Sequence, residues 1–230
     1  MKEGFDRHDL VFLSKEGRRQ ALAGVEAKAV RRYGEKTIRK IIRTVPGIVR
    51  YQGEEEEPWL ALGFSWHEKA DGQRIRIATR VEAQRVFRRV TPWELRVEPY
   101  LEMSDGGYSL REEARPVYRA CEQIIRLLAE RGIVVGIFGS LALELATGLP
   151  YVTETSDLDL IVRWDPVRLT EEFYDACRNL AEGVRLDLEV YFPGWGSVKA
   201  AEWFSGEDIV LVKGYRRTEI VERGELEAAE

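Results

Sequence analysis

The chain has 230 residues, of which 44% are hydrophobic and 10% aromatic, so it can bury one large core or two small ones. No run of roughly eighteen apolar residues occurs, and the N-terminal stretch lacks the apolar centre of a signal peptide, so no membrane span is expected and the cytoplasm is the expected compartment. The net charge of −5 is unevenly spread, with 23 basic and 19 acidic residues in 1–115 against 12 and 21 in 116–230, which argues against a long nucleic-acid track.

In chain order, a short strand is expected from Asp9. A basic stretch with helical spacing follows over 15–43, and a strand over 48–51. Residues 15–50 carry 11 Lys or Arg against 3 acids, which reads as a solvated helix face or as a docking surface for an acidic partner. The acidic run 54–57 reads as a solvated turn. Leu60, Leu62 and Phe64, then Ile75, Ile77 and Val81 alternating with Arg74, Arg76 and Arg80, predict two half-buried strands with a basic outer face. Thr91-Pro92-Trp93-Glu94 has the cap, proline and glutamate of a helix start. The turn at Ser104-Asp105-Gly106-Gly107 is taken as the junction between an N-terminal domain, 1–105, and a catalytic domain, 106–230.

Beyond it, Val117, Cys121, Ile124 and Leu128 form one stripe of a helix ended by Gly132, followed by a buried strand over 133–138 and a helix over 141–147 closed by Gly148. A strand over 158–162, a helix opened by Thr170-Glu171-Glu172 and a strand over 184–192 come next. Ser197 is expected to cap a last helix reaching Phe204, and 209–212 to form a final strand. The fold class is therefore α+β: a small mixed sheet flanked by helices in the C-terminal half, after a smaller α+β domain.

The chemistry sits on three pieces of this pattern. Gly139-Ser140 ends one strand and opens a helix, where a glycine lets backbone approach a phosphate and free N–H groups meet it. Asp157 and Asp159, two apart entering a strand, present both carboxylates to one side while Leu158 and Leu160 go to the core. Asp187 and Glu189 lie on one face of the next strand, and either can be the third acid. Such a set can hold two Mg²⁺ ions roughly 3.5–4 Å apart for an in-line phosphoryl displacement. His8 and His67 are too few for a zinc site, and Cys121 and Cys177 sit at helical spacing among apolar residues as buried free thiols.

Taken in order, Gly-Ser, Asp-x-Asp and a later acid resemble the nucleotidyltransferase superfamily that includes DNA polymerase beta. The words Gly139-Ser140-Leu141-Ala142, Thr147-Gly148-Leu149-Pro150-Tyr151 and Ser156-Asp157-Leu158-Asp159-Leu160 look more closely like the MdcG family, the phosphoribosyl-dephospho-CoA transferases that mature the acyl carrier subunit of malonate decarboxylase. Shorter echoes are Arg7-His8-Asp9-Leu10, Thr91-Pro92, Ser197-Val198 with Glu202-Trp203, and 210–213. Leu143 stands where the family favours tryptophan, and Leu188 where it favours glycine.

The resemblance implies an enzyme that moves phosphoribosyl-dephospho-CoA from 2′-(5″-triphosphoribosyl)-3′-dephospho-CoA to a serine of an acidic acyl carrier protein and releases pyrophosphate. It implies Mg²⁺ on Asp157, Asp159 and Asp187, with Glu189 as the alternative third ligand. Gly139, Ser140 and Lys213 would sit on the donor phosphates. The rival readings are an NTP-dependent transferase acting on another protein, an RNA end or a small molecule, and a non-catalytic partner-binding module.

Overall fold

The computed structural model describes residues 4–53, 58–97 and 111–228. The expected turns at 54–57 and at Ser104-Asp105-Gly106-Gly107 lie outside the described residues. The fold is α+β with two sheets, and the chain divides into two compact units. The first takes in residues up to Thr91 together with Gly214–Arg217, and the second Pro92–Lys213 and Thr218 onward. Among the described residues no helix is long and apolar enough to cross a membrane.

In the first unit, strands β1 (Leu10–Leu13), β2 (Gly47–Val49), β3 (Trp59–Ala70), β4 (Gln73–Glu82) and β5 (Val86–Val90) form an antiparallel sheet in the order β4-β3-β2-β1-β5. The basic stretch folds as three helices, α1 (Lys15–Ala23), α2 (Ala27–Tyr33) and α3 (Glu35–Thr44). Gly24 caps α1, and Gly34, at φ +77°, separates α2 from α3. A left-handed residue there is cheap only for glycine.

Helix α3 buries Ile38, Ile41 and Ile42, and α1 buries Ala21, whose carbonyl accepts the Thr79 hydroxyl at 2.7 Å. These apolar groups pack on Leu60, Leu62, Ile77 and Val81. Each such side chain taken from water contributes roughly 1.5–3 kcal/mol before entropy is charged. Arg76 and Arg80 point to the other side of β4 and are exposed, as the alternation required. Asp9, only 1% exposed, accepts the Asp6 N–H at 2.8 Å and is ion-paired with Arg89, whose Nε lies 2.6 Å away, which ties β1 to β5.

In the second unit, helix α4 (Arg115–Glu130) buries the predicted stripe of Val117, Cys121, Ile124 and Leu128. Strand β6 (Val135–Ile137), helix α5 (Gly139–Thr147), β7 (Leu158–Arg163), α6 (Glu171–Leu180) and β8 (Leu186–Phe192) follow. The unit closes with β9 (Gly196–Lys199), α7 (Ala200–Trp203), β10 (Ile209–Lys213), β11 (Thr218–Glu222) and α8 (Arg223–Glu227). The sheet order is β11-β10-β9-β8-β7-β6; β7 and β8 run parallel and the other pairings are antiparallel. A parallel pair needs a crossover, which α6 supplies, capped by the Thr170 hydroxyl on the Phe173 N–H. Both cysteines are buried free thiols.

Three expectations are corrected. Ser197 does not cap a helix: it lies in β9, where pairing with β8 overrides its local preference, and α7 begins only at Ala200. Thr91-Pro92-Trp93-Glu94 opens no α-helix but a single 3₁₀ turn, Pro92–Glu94, with Pro92 against Gly136 and Trp93 edge-on to Tyr191. The strand at 209–212 is not the last, because β11 pairs along its whole length.

Candidate active site

Paired residues on neighbouring strands turn their side chains to the same side of a sheet. The parallel register sets Asp159 opposite Asp187 and Leu160 opposite Leu188. Across β8 and β9, Glu189 faces Lys199 and Tyr191 faces Ser197, and across β9 and β10, Ser197 faces Lys213. One face of the sheet thus carries Asp159, Asp187, Glu189, Lys199 and Lys213, while Leu158, Leu160, Leu188 and Val190 are buried on the other.

The turn from β6 into α5 closes one side of this face. Gly139 has φ +67°, and a Cβ built on it would come within 2.5 Å of Asp159 Cγ. Only glycine fits, for both backbone and space. The next residue, Ser140, brings its backbone N–H to the side of the Asp159 carboxyl, where it favours the charged form. Burial, then the charges of Asp187 and Asp157, push Asp159 up to about 7, against the pull of that N–H. A half-buried carboxyl among carboxylates is a place where a cation would relieve repulsion.

The two flanking acids have cationic partners. Arg185 Nη2 lies 2.8 Å from Asp157 Oδ2. Lys199 Nζ lies 3.0 Å from both oxygens of Asp187, and that hydrogen bond raises the lysine's own affinity for its proton. Among the described residues no three His, Cys, Asp or Glu side chains already converge on one point where a metal could sit. Asp157 and Asp187 are arranged about Arg185 and Lys199 instead. The donor set is hard oxygen, and its negative charge suits a divalent cation such as Mg²⁺.

Asp187 and Glu189 are separated by their surroundings. Asp187 shares a rung with Asp159, whereas Glu189, 5% exposed, sits opposite Ile161 and accepts the Ser197 hydroxyl. Lys213 shares the face but stands at the level of Ser197 and Tyr191, two strands from β8 and four residues along it from Asp187.

Sequence reasoning missed Lys199 and a buried clasp around Glu144. The Glu144 carboxylate, 7% exposed, accepts the Val152 N–H at 2.7 Å, Arg111 at 2.8 Å and the Tyr118 hydroxyl at 3.4 Å, and Arg111 also donates to the Val152 carbonyl at 2.9 Å. The clasp fastens α5 to the segment that leads into Asp157. An acid on the buried side of an apolar helix was the available signal for it.

The sequence matches the C-terminal domain of phosphoribosyl-dephospho-CoA transferase MdcG over residues 108–224 and the N-terminal domain of the same family over residues 6–92. It is 33% identical over 113 residues to the phosphoribosyl-dephospho-CoA transferase of Pseudomonas fluorescens (strain Pf0-1), covering 48% of this chain and 54% of that protein. Against the protein of that name from Azotobacter vinelandii (strain DJ / ATCC BAA-1303) it is 28% identical over 211 residues, 90% of this chain and 87% of the relative. The match thus spans about half the length of the first relative and most of the second. No solved structure matches the chain. With both family domains found in order along it, the chain belongs to the MdcG family of phosphoribosyl-dephospho-CoA transferases.

Proposed function

We propose that the chain transfers the phosphoribosyl-dephospho-CoA group from 2′-(5″-triphosphoribosyl)-3′-dephospho-CoA to a serine of the malonate decarboxylase acyl carrier subunit, in the cytoplasm, with Mg²⁺. The observation that carries this reading is the rung of Asp159 and Asp187, with Asp159 pressed against Gly139 at the start of α5. It is supported by the family membership and by the names of the relatives.

In the reaction, the serine oxygen bonds to the α-phosphorus of the donor as the bond to the bridging oxygen breaks. The serine gives up its proton and pyrophosphate leaves. Asp157, Asp159 and Asp187 would hold two Mg²⁺ ions, which supply charge neutralisation at the attacking and leaving oxygens. Asp187, beside the attack position, accepts the serine proton. The N-terminal backbone of α5 at Gly139 and Ser140 receives the leaving phosphates. The exposed arginines of α2 and β4 are the docking surface for the acidic carrier.

The test is the intact mass of the carrier subunit after incubation with this protein, Mg²⁺ and the triphosphoribosyl donor, beside tubes with each NTP and with Asp159→Ala. The expected result is a gain of one phosphoribosyl-dephospho-CoA, absent with the variant. Label transfer from an NTP without that gain would keep the carboxylates and discard the substrate.

A further inference from the structure

Lys199 stands directly opposite Glu189 in the β8–β9 register, yet its amine reaches diagonally to Asp187 and lies 3.0 Å from both carboxylate oxygens. Its register partner is already engaged, because Glu189 takes the Ser197 hydroxyl. The lysine side chain is 44% exposed and Asp187 24%, so the pair sits at the open side of the carboxylate face rather than in the core. A chelated geometry of this kind occupies the two oxygens a divalent cation would use, and a point-charge ammonium can swing away on its four-carbon stem.

We infer that Lys199 is an internal competitor for the metal: it fills the cation position on Asp187 in the free protein and yields it when a divalent ion and the phosphates of the donor arrive together. The inference rests on the metal-site reading of Asp157, Asp159 and Asp187. The released ammonium then lies beside the ion, where the only new anions are donor phosphate oxygens, so Lys199 exchanges a carboxylate for a phosphate without losing an ionic partner. Lys199 is thereby a positioning residue that keeps the three acids from binding ions idly and couples metal capture to donor capture.

The experiment is direct titration of Mn²⁺ into the whole protein, with free Mn²⁺ read by electron paramagnetic resonance, for the wild type, Lys199→Met, Lys199→Gln, Asp187→Asn and the double variant Lys199→Met/Asp187→Asn. Circular dichroism checks that each is folded. The expected result is Mn²⁺ binding about tenfold tighter in Lys199→Met and Lys199→Gln than in the wild type. That gain should shrink below about twofold when Asp187 is already Asn, because competition then has no site. A tenfold gain that persists in the double variant means only that a positive charge has been removed nearby and overturns the inference, as does unchanged or weaker binding in both single lysine variants. Absence of Mn²⁺ binding in every variant overturns the metal-site reading itself and the inference with it.

Discussion

Two aspartates, Asp9 buried in the first unit and Asp159 half-buried in the second, have carboxyl groups lifted well above their usual range, and their neighbours tell them apart. Asp9 is raised to about 6 by burial, with the Asp6 N–H and the Arg89 guanidinium pulling it back. Asp159 is raised to about 7 by burial and then further by Asp187 and Asp157. A lone buried acid given an arginine is a fastening between β1 and β5. A half-buried acid given two more acids carries a repulsion that a bound cation would relieve. The perturbed value alone separates nothing; the sign of its surroundings does.

The sharpest break between the two comes from removing the acid. Asp159→Asn is expected to lower carrier modification by about a thousandfold while the fold survives, measured by intact mass against time. Asp9→Asn is expected to leave the rate per folded molecule unchanged.

Gly139→Ala should follow at about a hundredfold loss, because the methyl group meets the Asp159 carboxyl and the backbone sits at φ +67°. Its circular dichroism spectrum should match that of the wild type.

Arg89→Ala acts on the other side of the comparison. Leaving Asp9 without its guanidinium is expected to destabilise the protein by about 2 kcal/mol in urea unfolding. Mn²⁺ affinity should not move.

The smallest effect concerns pH. The folded-state affinity of Asp159 for its proton lies above the ordinary carboxylate value of 3.8, so this residue favours the folded state least once pH has risen through about 7. In metal-free protein, Asp159→Asn should therefore raise the melting temperature by a few degrees at pH 8 and by less at pH 5. A gain that is larger at pH 5 would show that the acid is stabilised rather than strained.

Much of this arrangement is legible in the chain. The stripe of α4, the Thr170 cap, the glycine stops and the alternation of Asp157 to Leu160 are local patterns, and the elements follow them. Ser197 shows where local reading fails, since a serine before an apolar run looks like a cap until a partner strand claims its backbone. Strand β5 and strand β11 show the same limit: both are short, charged edge strands, and Val86–Val90 takes its pairing from the distant β1, while Thr218–Glu222 pairs with the neighbouring β10 but lacks a clear apolar alternation. The acids of the site were visible because their spacing is two, while Lys199 was not, because its meeting with Asp187 depends on an antiparallel register no spacing encodes. That Asp187, and not Glu189, stands level with Asp159 likewise depends on the register of β7 and β8.

The parallel pairing of β7 with β8 makes the protein's backbone its own ruler. Neighbouring strands lie about 4.8 Å apart whatever side chains they carry, so the gap between the Asp159 and Asp187 columns is fixed by amide geometry and drifts little as surrounding residues change. What the ruler does not tolerate is a change of count. A slip of β8 by a single residue against β7 would send Asp187 to the apolar side and bring a leucine to the carboxylate face. Asp159 and Asp187 therefore stay level with each other for as long as β8 keeps that register.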